Sequence, residues 1–295
     1  MENITQKINI VNNIKYEQFN SIVINYKNDN VLNYSEVIFL KELNYKYLNL
    51  SSKTYVPKKS ISSSTSSAKE KYINENANKA KIKLKRLMIN NNLWNHCGFT
   101  YKDEVTDRKK LVLDFIKFIK RLEYILKIKL DYVAVPEIQK ERYLKTLLKI
   151  YHMHVGLNIE VSEKQFFAAW NSKKCLTCPK YAEKNFNFQC KDCPKFKGLV
   201  WVDRQKGEKN VFKNASYFAK YFSKGFNDDL NQRVKLKEHR YFCSKNLSLP
   251  EIKYQFISED ELKKIEHISE YNKKFDDGNS YHLLKNASLE FILNK

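Results

Sequence analysis

The chain has 295 residues and carries 54 lysines and arginines against 33 aspartates and glutamates, so its formal charge at pH 7 is +21. This excess of positive charge favours a polyanionic partner, most simply nucleic acid, with a membrane surface as the rival. The sequence shows no apolar run of the roughly 18 residues that span a bilayer and no secretory signal. We therefore expect a cytoplasmic protein whose six cysteines are thiols or metal ligands and not disulfides.

Changes in composition predict three regions. Residues 1–67 comprise an N-terminal region without a recognisable motif and a serine-rich linker at residues 60–67. Residues 68–250 carry the motifs, beginning with a lysine-rich helix at residues 69–89 that is either a solvated face or a phosphate-binding surface. Residues 251–295 form a tail in which acidic residues open a helix and no function is indicated.

A strand and a core helix are predicted next. Residues 99–101 suit a strand, and Asp107 is expected to cap the following helix because its carboxylate can accept hydrogen bonds from free N–H groups. Apolar side chains then recur at helical spacing and form one stripe that should pack on a sheet. The stripe consists of Leu111, Phe115, Phe118, Leu122 and Ile125.

Two histidines lie in the strand predicted for residues 146–159, which follows a strand at residues 130–138. Side chains alternate between the faces of a strand, so His152 and His154 share one face while Met153 and Val155 point to the core. Two adjacent imidazoles form half of a divalent-metal site. Taken alone, the pair is better explained as two surface histidines on a half-buried strand, because a short motif specifies little.

Four cysteines predict a second kind of metal site. Cys175, Cys178, Cys190 and Cys193 form two Cys-x-x-Cys pairs, and two such pairs can close a tetrahedron of thiolates around zinc. Structural zinc is favoured over redox pairs or idle thiols. The module, residues 173–196, is an insertion that metal binding would fold, and its lysines could contact DNA. These lysines are Lys173, Lys174, Lys180, Lys191 and Lys195. The two remaining cysteines, Cys97 and Cys243, are expected to be buried.

A repeated Tyr-x-x-Lys pattern occupies residues 217–224. Helical residues four apart share a face, so Tyr217 and Tyr221 would lie on one face and Lys220 and Lys224 on a neighbouring one. By itself the pattern also fits an amphipathic helix with half-buried tyrosines and solvated lysines.

Together and in this order, the motifs resemble those of the HUH endonucleases, and within them the rolling-circle replication initiators of bacterial plasmids and phages. The resemblance runs from about residue 85 to 250 and includes residues 99–103, residues 132–140 with the histidine pair, and the tyrosine repeat with residues 240–247. Conjugative relaxases usually place the tyrosine before the histidines, whereas in this sequence the tyrosines follow them. The resemblance implies an α+β fold, in which an antiparallel sheet of about five strands carries helices on one face and the metal site on the other.

The resemblance also implies a reaction. A tyrosine phenolate would attack the scissile phosphate of one origin strand, leaving a 5′-phosphotyrosine and a free 3′-OH primer. His152 and His154 would hold Mn²⁺ or Mg²⁺ with Glu137 as the third ligand, although the link at residues 139–145 is longer than is usual in the family. Tyr221 is the expected nucleophile, because the apolar residues of the family pattern surround it. Tyr217 is either a second nucleophile or a packing residue.

Lys224 or Lys220 would lower the pKa of the phenol or stabilise charge on the phosphate. The expected substrate is single-stranded or hairpin origin DNA, and a host polymerase and helicase are the expected partners, with no membrane involved. Two alternatives remain open at this stage. One is a zinc-containing DNA-binding regulator without catalysis, and the other is an HUH-type transposase.

Overall fold

A computed structural model describes residues 8–11, 14–26, 34–48, 66–148, 150–179, 193–203, 210–227, 241–276 and 278–285. Side chains are described in these ranges except at residues 8–11, 14–18, 41–48, 66–77, 210, 221–227 and 285. The chain divides into two compact units, of which the larger comprises residues 65–249 and the smaller comprises residues 1–64 and 250–295. None of the described helices combines the length and apolar character that crossing a membrane requires.

Within the described residues the protein is α+β, as predicted. The smaller unit contributes the first strands, β1 (Ile8–Val11), β2 (Ile14–Asn25) and β3 (Tyr34–Leu48). The larger unit contains α1 (Ser66–Asn90), β4 (Asn95–Thr100), α2 (Arg108–Leu126), β5 (Tyr132–Ile138), α3 (Lys140–Thr146), β6 (Tyr151–Leu157), α4 (Glu163–Trp170), β7 (Val200–Val202), α5 (Asn210–Asn227) and β8 (Phe242–Cys243). The smaller unit then continues with β9 (Glu251–Gln255), α6 (Glu259–Ile268), β10 (Tyr271–Lys274) and β11 (Ser280–Lys285).

The larger unit is built on an antiparallel sheet, in which five described strands follow the order β7-β4-β6-β5-β8. Strand β6, which carries the histidine pair, lies at the centre between β4 and β5. It is shorter than the predicted strand at residues 146–159, because residues 140–146 form helix α3 and Leu147 adopts a left-handed conformation with φ of 58°. The five-stranded antiparallel sheet itself was predicted.

Helices α2 and α4 pack on one face of this sheet. Asp107 caps α2 as predicted, accepting a hydrogen bond of 2.8 Å from the backbone N–H of Lys109. The predicted apolar stripe of α2 is buried from Leu111 to Leu122, and it joins a core in which Phe99 of β4 stacks on Trp170 of α4 at 3.8 Å. Burying each such large apolar side chain contributes about 1.5–3 kcal/mol.

The opposite face also carries helices, which corrects the prediction of helices on one face only. Helices α1 and α5 pack together there, and Phe218 of α5 is fully buried. Gly156 of β6 permits this close packing, because a Cβ at that position would lie 2.9 Å from the Met88 side chain of α1. In its described part each of these helices has buried apolar residues, which require such a contact. The sequence pattern does not show which face of the sheet provides it.

The two cysteines outside the predicted zinc module differ in their burial. Cys97 is fully buried, as expected, but Cys243 is exposed. Cys243 lies on the short edge strand β8, where its neighbour Phe242 packs against the core. Side chains alternate along a strand, so Cys243 points away from the core.

The smaller unit contains a second antiparallel sheet, with six strands among the residues described. Strand β2 pairs with β3, β3 with β11 and β11 with β10, while β1 and β9 both pair with β2 along different parts of its length. Helix α6 begins with a capping box between Ser258 and Glu261, in agreement with its predicted acidic start. The predicted N-terminal region and tail therefore share one sheet, through pairings that local sequence patterns do not reveal.

Candidate metal centre

Three side chains from two neighbouring strands form a group that can hold a metal ion. His152 and His154 project from the same face of β6, with ring centroids 4.9 Å apart. Glu137 of β5 lies directly opposite His152 in the antiparallel ladder. One ligand atom from each of the three residues lies within 4.8 Å of the other two, and Nε2 of His154 is 3.0 Å from Oε2 of Glu137.

The longer link between β5 and β6 does not disturb this alignment. Residues 140–146 are taken up as the short helix α3, and the ladder continues from Ile138 opposite Tyr151 to Tyr132 opposite Leu157. Directly opposed residues in such a ladder have Cβ atoms about 5 Å apart, which suits two ligands of one ion. The predicted ligand set is therefore brought together, with two imidazole nitrogens and one carboxylate as donors.

A third histidine, His96 of β4, extends the group. Its Nε2 lies 3.1 Å from Nδ1 of His154, and the two rings are nearly parallel with centroids 5.4 Å apart. When Nε2 of His154 binds a cation, its Nδ1 carries the proton and donates to Nε2 of His96. Such outer hydrogen bonds fix the tautomer and the orientation of a ligating imidazole.

Burial keeps His96 neutral. Burial, with smaller contributions from His154 and His152, lowers the pKa of His96 to about 4, although Asp203 opposes the shift. At neutral pH the ring therefore has a free lone pair and can serve as the acceptor that the His154 N–H requires.

His96 was not among the sequence candidates. A single histidine in a strand has no motif around it, and only the pairing of β4 with β6 brings it beside His154. One signal was available in the sequence. Residues two apart in a strand share a face, so His96 lies on the same face of β4 as Gly98, which is opposite His154 in the ladder.

His96→Ala is expected to weaken Mn²⁺ binding about 10- to 100-fold, the usual effect of removing an outer hydrogen-bond partner of a metal ligand. His96→Gln should retain affinity close to that of the wild type, because its side-chain oxygen can still accept the bond. Calorimetric titration of both variants with Mn²⁺ measures the difference. Unchanged affinity in His96→Ala would contradict the positioning role.

The indole ring of Trp201 on β7 also packs against the histidine pair. Its centroid lies 4.6 Å from the ring of His152 and 5.8 Å from that of His154. Gly98 makes this possible, because a Cβ there would lie 1.9 Å from the indole ring. The contact of Trp201 with the histidines was not predicted from the sequence.

The tyrosine repeat lies on helix α5, on the same side of the sheet as the histidines. The ring centroid of Tyr217 is 5.0 Å from that of His96 and 6.0 Å from that of His154, and 38% of Tyr217 is exposed. The neighbouring Phe218 is buried against His96 at 5.2 Å. The side-chain amide of Asn214 also donates to the backbone oxygen of Trp94, which ties the helix to the chain just before β4.

The remaining residues of the repeat are placed by the helix alone. Lys220 is exposed on α5. Tyr221 and Lys224 belong to the same helix, but their side chains lie outside the described residues. Four helical residues rise about 6 Å, so the backbone of Tyr221 is one turn beyond that of Tyr217. The tyrosine whose side chain is seen at the candidate metal centre is thus Tyr217, whereas the sequence motif favours Tyr221.

The four-cysteine module is described only in part. Cys175 lies in a 3₁₀ helix, Lys173–Thr177, and Cys178 follows it directly, with its N–H donating to the backbone oxygen of Cys175 at 3.3 Å. Cys193 is described as well, whereas Cys190 lies outside the described residues. The zinc site remains a prediction.

One tightly bound zinc per chain is expected from native mass spectrometry of protein purified under reducing conditions. Cys178→Ser should lose it, because three thiolates bind zinc less tightly than four. Cys243→Ser is a suitable control, since Cys243 is exposed and lies outside the module. Zinc-free wild-type protein from zinc-replete cells would overturn the assignment.

The geometry allows a divalent cation to be bound beside a helix that bears two phenol groups. Comparisons of the chain with models of protein families, with curated proteins and with solved structures find no match in any of the three. The function is therefore inferred from the site itself.

Proposed function

We propose that the protein is a metal-dependent endonuclease that nicks one strand of origin DNA and initiates rolling-circle replication. The observation that carries this proposal is the position of helix α5, whose Tyr217 lies against His96 and His154 beside the Glu137–His152–His154 group. A metal site and a tyrosine nucleophile are the two parts that such a reaction requires. A regulator without catalysis would need neither.

The ligand atoms indicate the kind of cation. Carboxylate oxygen suits Mg²⁺ and Mn²⁺, and two imidazoles shift the preference towards Mn²⁺. Bound there, the cation would polarise the scissile phosphate and fix its position. Glu137, His152 and His154 would hold it, and the contact with His96 would fix the orientation of His154.

Bond changes are confined to one phosphate. The phenol of Tyr221 loses its proton and its oxygen forms a bond to phosphorus, while the bond from phosphorus to the 3′ oxygen of the preceding nucleotide breaks. That oxygen takes up a proton and becomes the primer end, and the protein keeps the 5′ end as a phosphotyrosine. Lys220 and Lys224 would stabilise the negative charge that develops on the phosphate. Tyr217 packs on the ligating histidines and is the candidate for a second attack.

The formal charge of +21 supports a DNA substrate, because phosphate neutralisation dominates the affinity of such proteins. As the resemblance implies, the strand at the metal centre would be unpaired, as in a hairpin loop of the origin. A host polymerase would extend the free 3′-OH while a host helicase unwinds the duplex. An HUH-type transposase would use the same site, and the genetic setting of the gene separates the two enzymes.

A nicking assay tests the proposal. Supercoiled DNA carrying the sequence that flanks the gene should become open circular with Mn²⁺ and stay supercoiled with EDTA. Retarded migration of the DNA without any nick, under both conditions, would identify a binding protein and contradict the proposed activity.

A further inference from the structure

Helix α2 has a second side, which faces away from the sheet and is lined with cations. Residues of this helix line two shallow, open hollows, with volumes of about 560 Å³ and about 450 Å³. The first is lined by Asp114, Lys117, Lys120, Arg121 and Lys197. The second is lined by Tyr124, Ile125, Lys127, Lys173 and Leu176. We call the two hollows together the basic groove.

The walls of the basic groove come from two parts of the larger unit. Helix α2 and Lys127, which directly follows it, form one side, and the start of the cysteine module at residues 173–176 and Lys197 just after the module form the other. Helix α2 packs on the sheet face that holds Met153 and Val155, opposite to the histidines. A ligand in the basic groove therefore cannot be at the candidate metal centre.

Positive charge in the basic groove is poorly compensated. Six cations line it, and Asp114 is the single carboxylate among its described residues. Asp114 already accepts hydrogen bonds from Lys110 at 2.8 Å and from Lys197 at 2.9 Å. Among the residues described, no carboxylate forms an ion pair with Lys117, Lys120 or Lys127.

The pKa shifts of Asp114 and Lys197 agree with a positive electrostatic potential in the basic groove. Burial raises the pKa of Asp114, but the hydrogen bonds from Lys110 and Lys197 outweigh it and hold this pKa below its usual value. Burial, together with the charges of Arg121 and Lys110, lowers the pKa of Lys197 despite its bond to Asp114. An anion bound in the groove would relieve this repulsion.

The dimensions fit a nucleic-acid strand. Lys117 lies on α2, and Lys127 is the residue directly after its last turn, ten residues further on, which corresponds to about 15 Å along the helix. One DNA strand rises about 3.4 Å per phosphate in a duplex and an unpaired strand is more extended, so this length spans at most about four phosphates. At the second hollow Tyr124 is 65% exposed, and Nζ of Lys173 lies 4.1 Å from its ring centroid. An exposed aromatic ring beside lysines can stack with an unpaired base.

We propose that the basic groove binds a single strand of DNA through its phosphates, with Tyr124 stacking on a base. This second site goes beyond the proposed nicking activity and does not depend on it. The exposed ring of Tyr124 beside Lys173 favours an unpaired strand over a membrane, because it can stack on a base. Leu113 and Ile116, which are exposed on the same helix, are the feature that a membrane would use, so lipid binding is included in the test.

The experiment compares two triple variants in buffer with EDTA, using labelled oligothymidine as the probe. Lys117→Ala/Lys120→Ala/Lys127→Ala removes three exposed lysines from the basic groove, and Lys263→Ala/Lys264→Ala/Lys273→Ala removes three exposed lysines from the smaller unit. Each lost phosphate contact lowers the salt slope of single-strand binding by about 0.7, so the groove variant should lose about 2 from its slope. Its affinity at about 0.1 M salt should fall at least tenfold, while the control changes little.

Tyr124→Ala should weaken binding by about fivefold or more without changing the salt slope, because stacking carries no charge. Equal salt slopes in the groove variant and its control would overturn the proposal. So would a loss confined to duplex DNA, or a loss of binding to anionic phospholipid vesicles with oligothymidine binding intact. The nicking assay reads out the other site, so failure of the basic groove and failure of the nickase are distinguishable.

Discussion

His154→Ala should abolish strand cleavage while DNA binding survives. His154 lies on the central strand of the sheet, 3.0 Å from Glu137 and 3.1 Å from His96, so its loss removes one ligand and disconnects the third histidine. Charge stabilisation by a catalytic metal amounts to several kcal/mol, and each 1.36 kcal/mol is a factor of ten in rate. Single-turnover nicking with Mn²⁺ should therefore slow by about 10³-fold or more.

Two further variants make this result interpretable. His267→Ala removes an exposed histidine from helix α6 and should nick at the wild-type rate. Glu137→Gln keeps the size of the third ligand and removes its charge, so it should slow nicking without the cavity that His154→Ala leaves in the sheet. Binding of both metal-site variants to oligothymidine should match the wild type, because phosphate contacts dominate it. Wild-type nicking by His154→Ala would refute the metal assignment.

Tyr221→Phe should remove the covalent intermediate altogether, because phenylalanine has no oxygen with which to attack phosphorus. The motif around Tyr221 is complete, with Phe218 three residues before it, Phe222 directly after it and Lys224 at the third position. A substrate strand labelled at its 3′ end keeps the label on the fragment that is joined to the protein. On a denaturing gel, the loss would therefore appear as disappearance of the slowly migrating protein–DNA band.

Tyr217→Phe should keep the covalent intermediate, because the ring that packs on His96 and His154 remains in place. Tyr217→Ala removes that ring and should slow nicking more than Tyr217→Phe does. If instead Tyr217→Phe loses the intermediate and Tyr221→Phe retains it, the nucleophile is the tyrosine nearer to the histidines. A band that survives either single change and vanishes in the double variant would indicate alternating use of both.

Much of the larger unit could be predicted because its signals are local. The stripe of α2, the cap at Asp107 and the alternation of His152 and His154 each lie within one element, where the period of the pattern fixes the face. Placing Glu137 required the register of β5 against β6, and the resemblance supplied this register. In the described ladder Glu137 lies opposite His152, in the group that could hold a metal ion.

What escaped prediction depends on contacts between distant segments. His96 acquires its role only through the pairing of β4 with β6, and Trp201 only through that of β7 with β4. The basic groove requires α2 to meet the start of the cysteine module and Lys197 just after it, whereas in sequence the exposed side of α2 has the pattern of an ordinary solvated face. The pairing of β9 and β11 with β2 and β3 likewise joins the two ends of the chain.

The most direct test of the central claim is the location of the covalent bond between protein and DNA. Wild-type protein is incubated with Mn²⁺ and a single strand carrying the candidate origin, digested with nuclease and trypsin, and analysed by mass spectrometry. Trypsin cuts after Lys213, Lys220 and Lys224, so Tyr217 and Tyr221 fall on different peptides. We expect a nucleotide linked through phosphate to the peptide of Tyr221, and none when EDTA replaces Mn²⁺. Cleaved origin DNA with no nucleotide on either peptide would contradict the account.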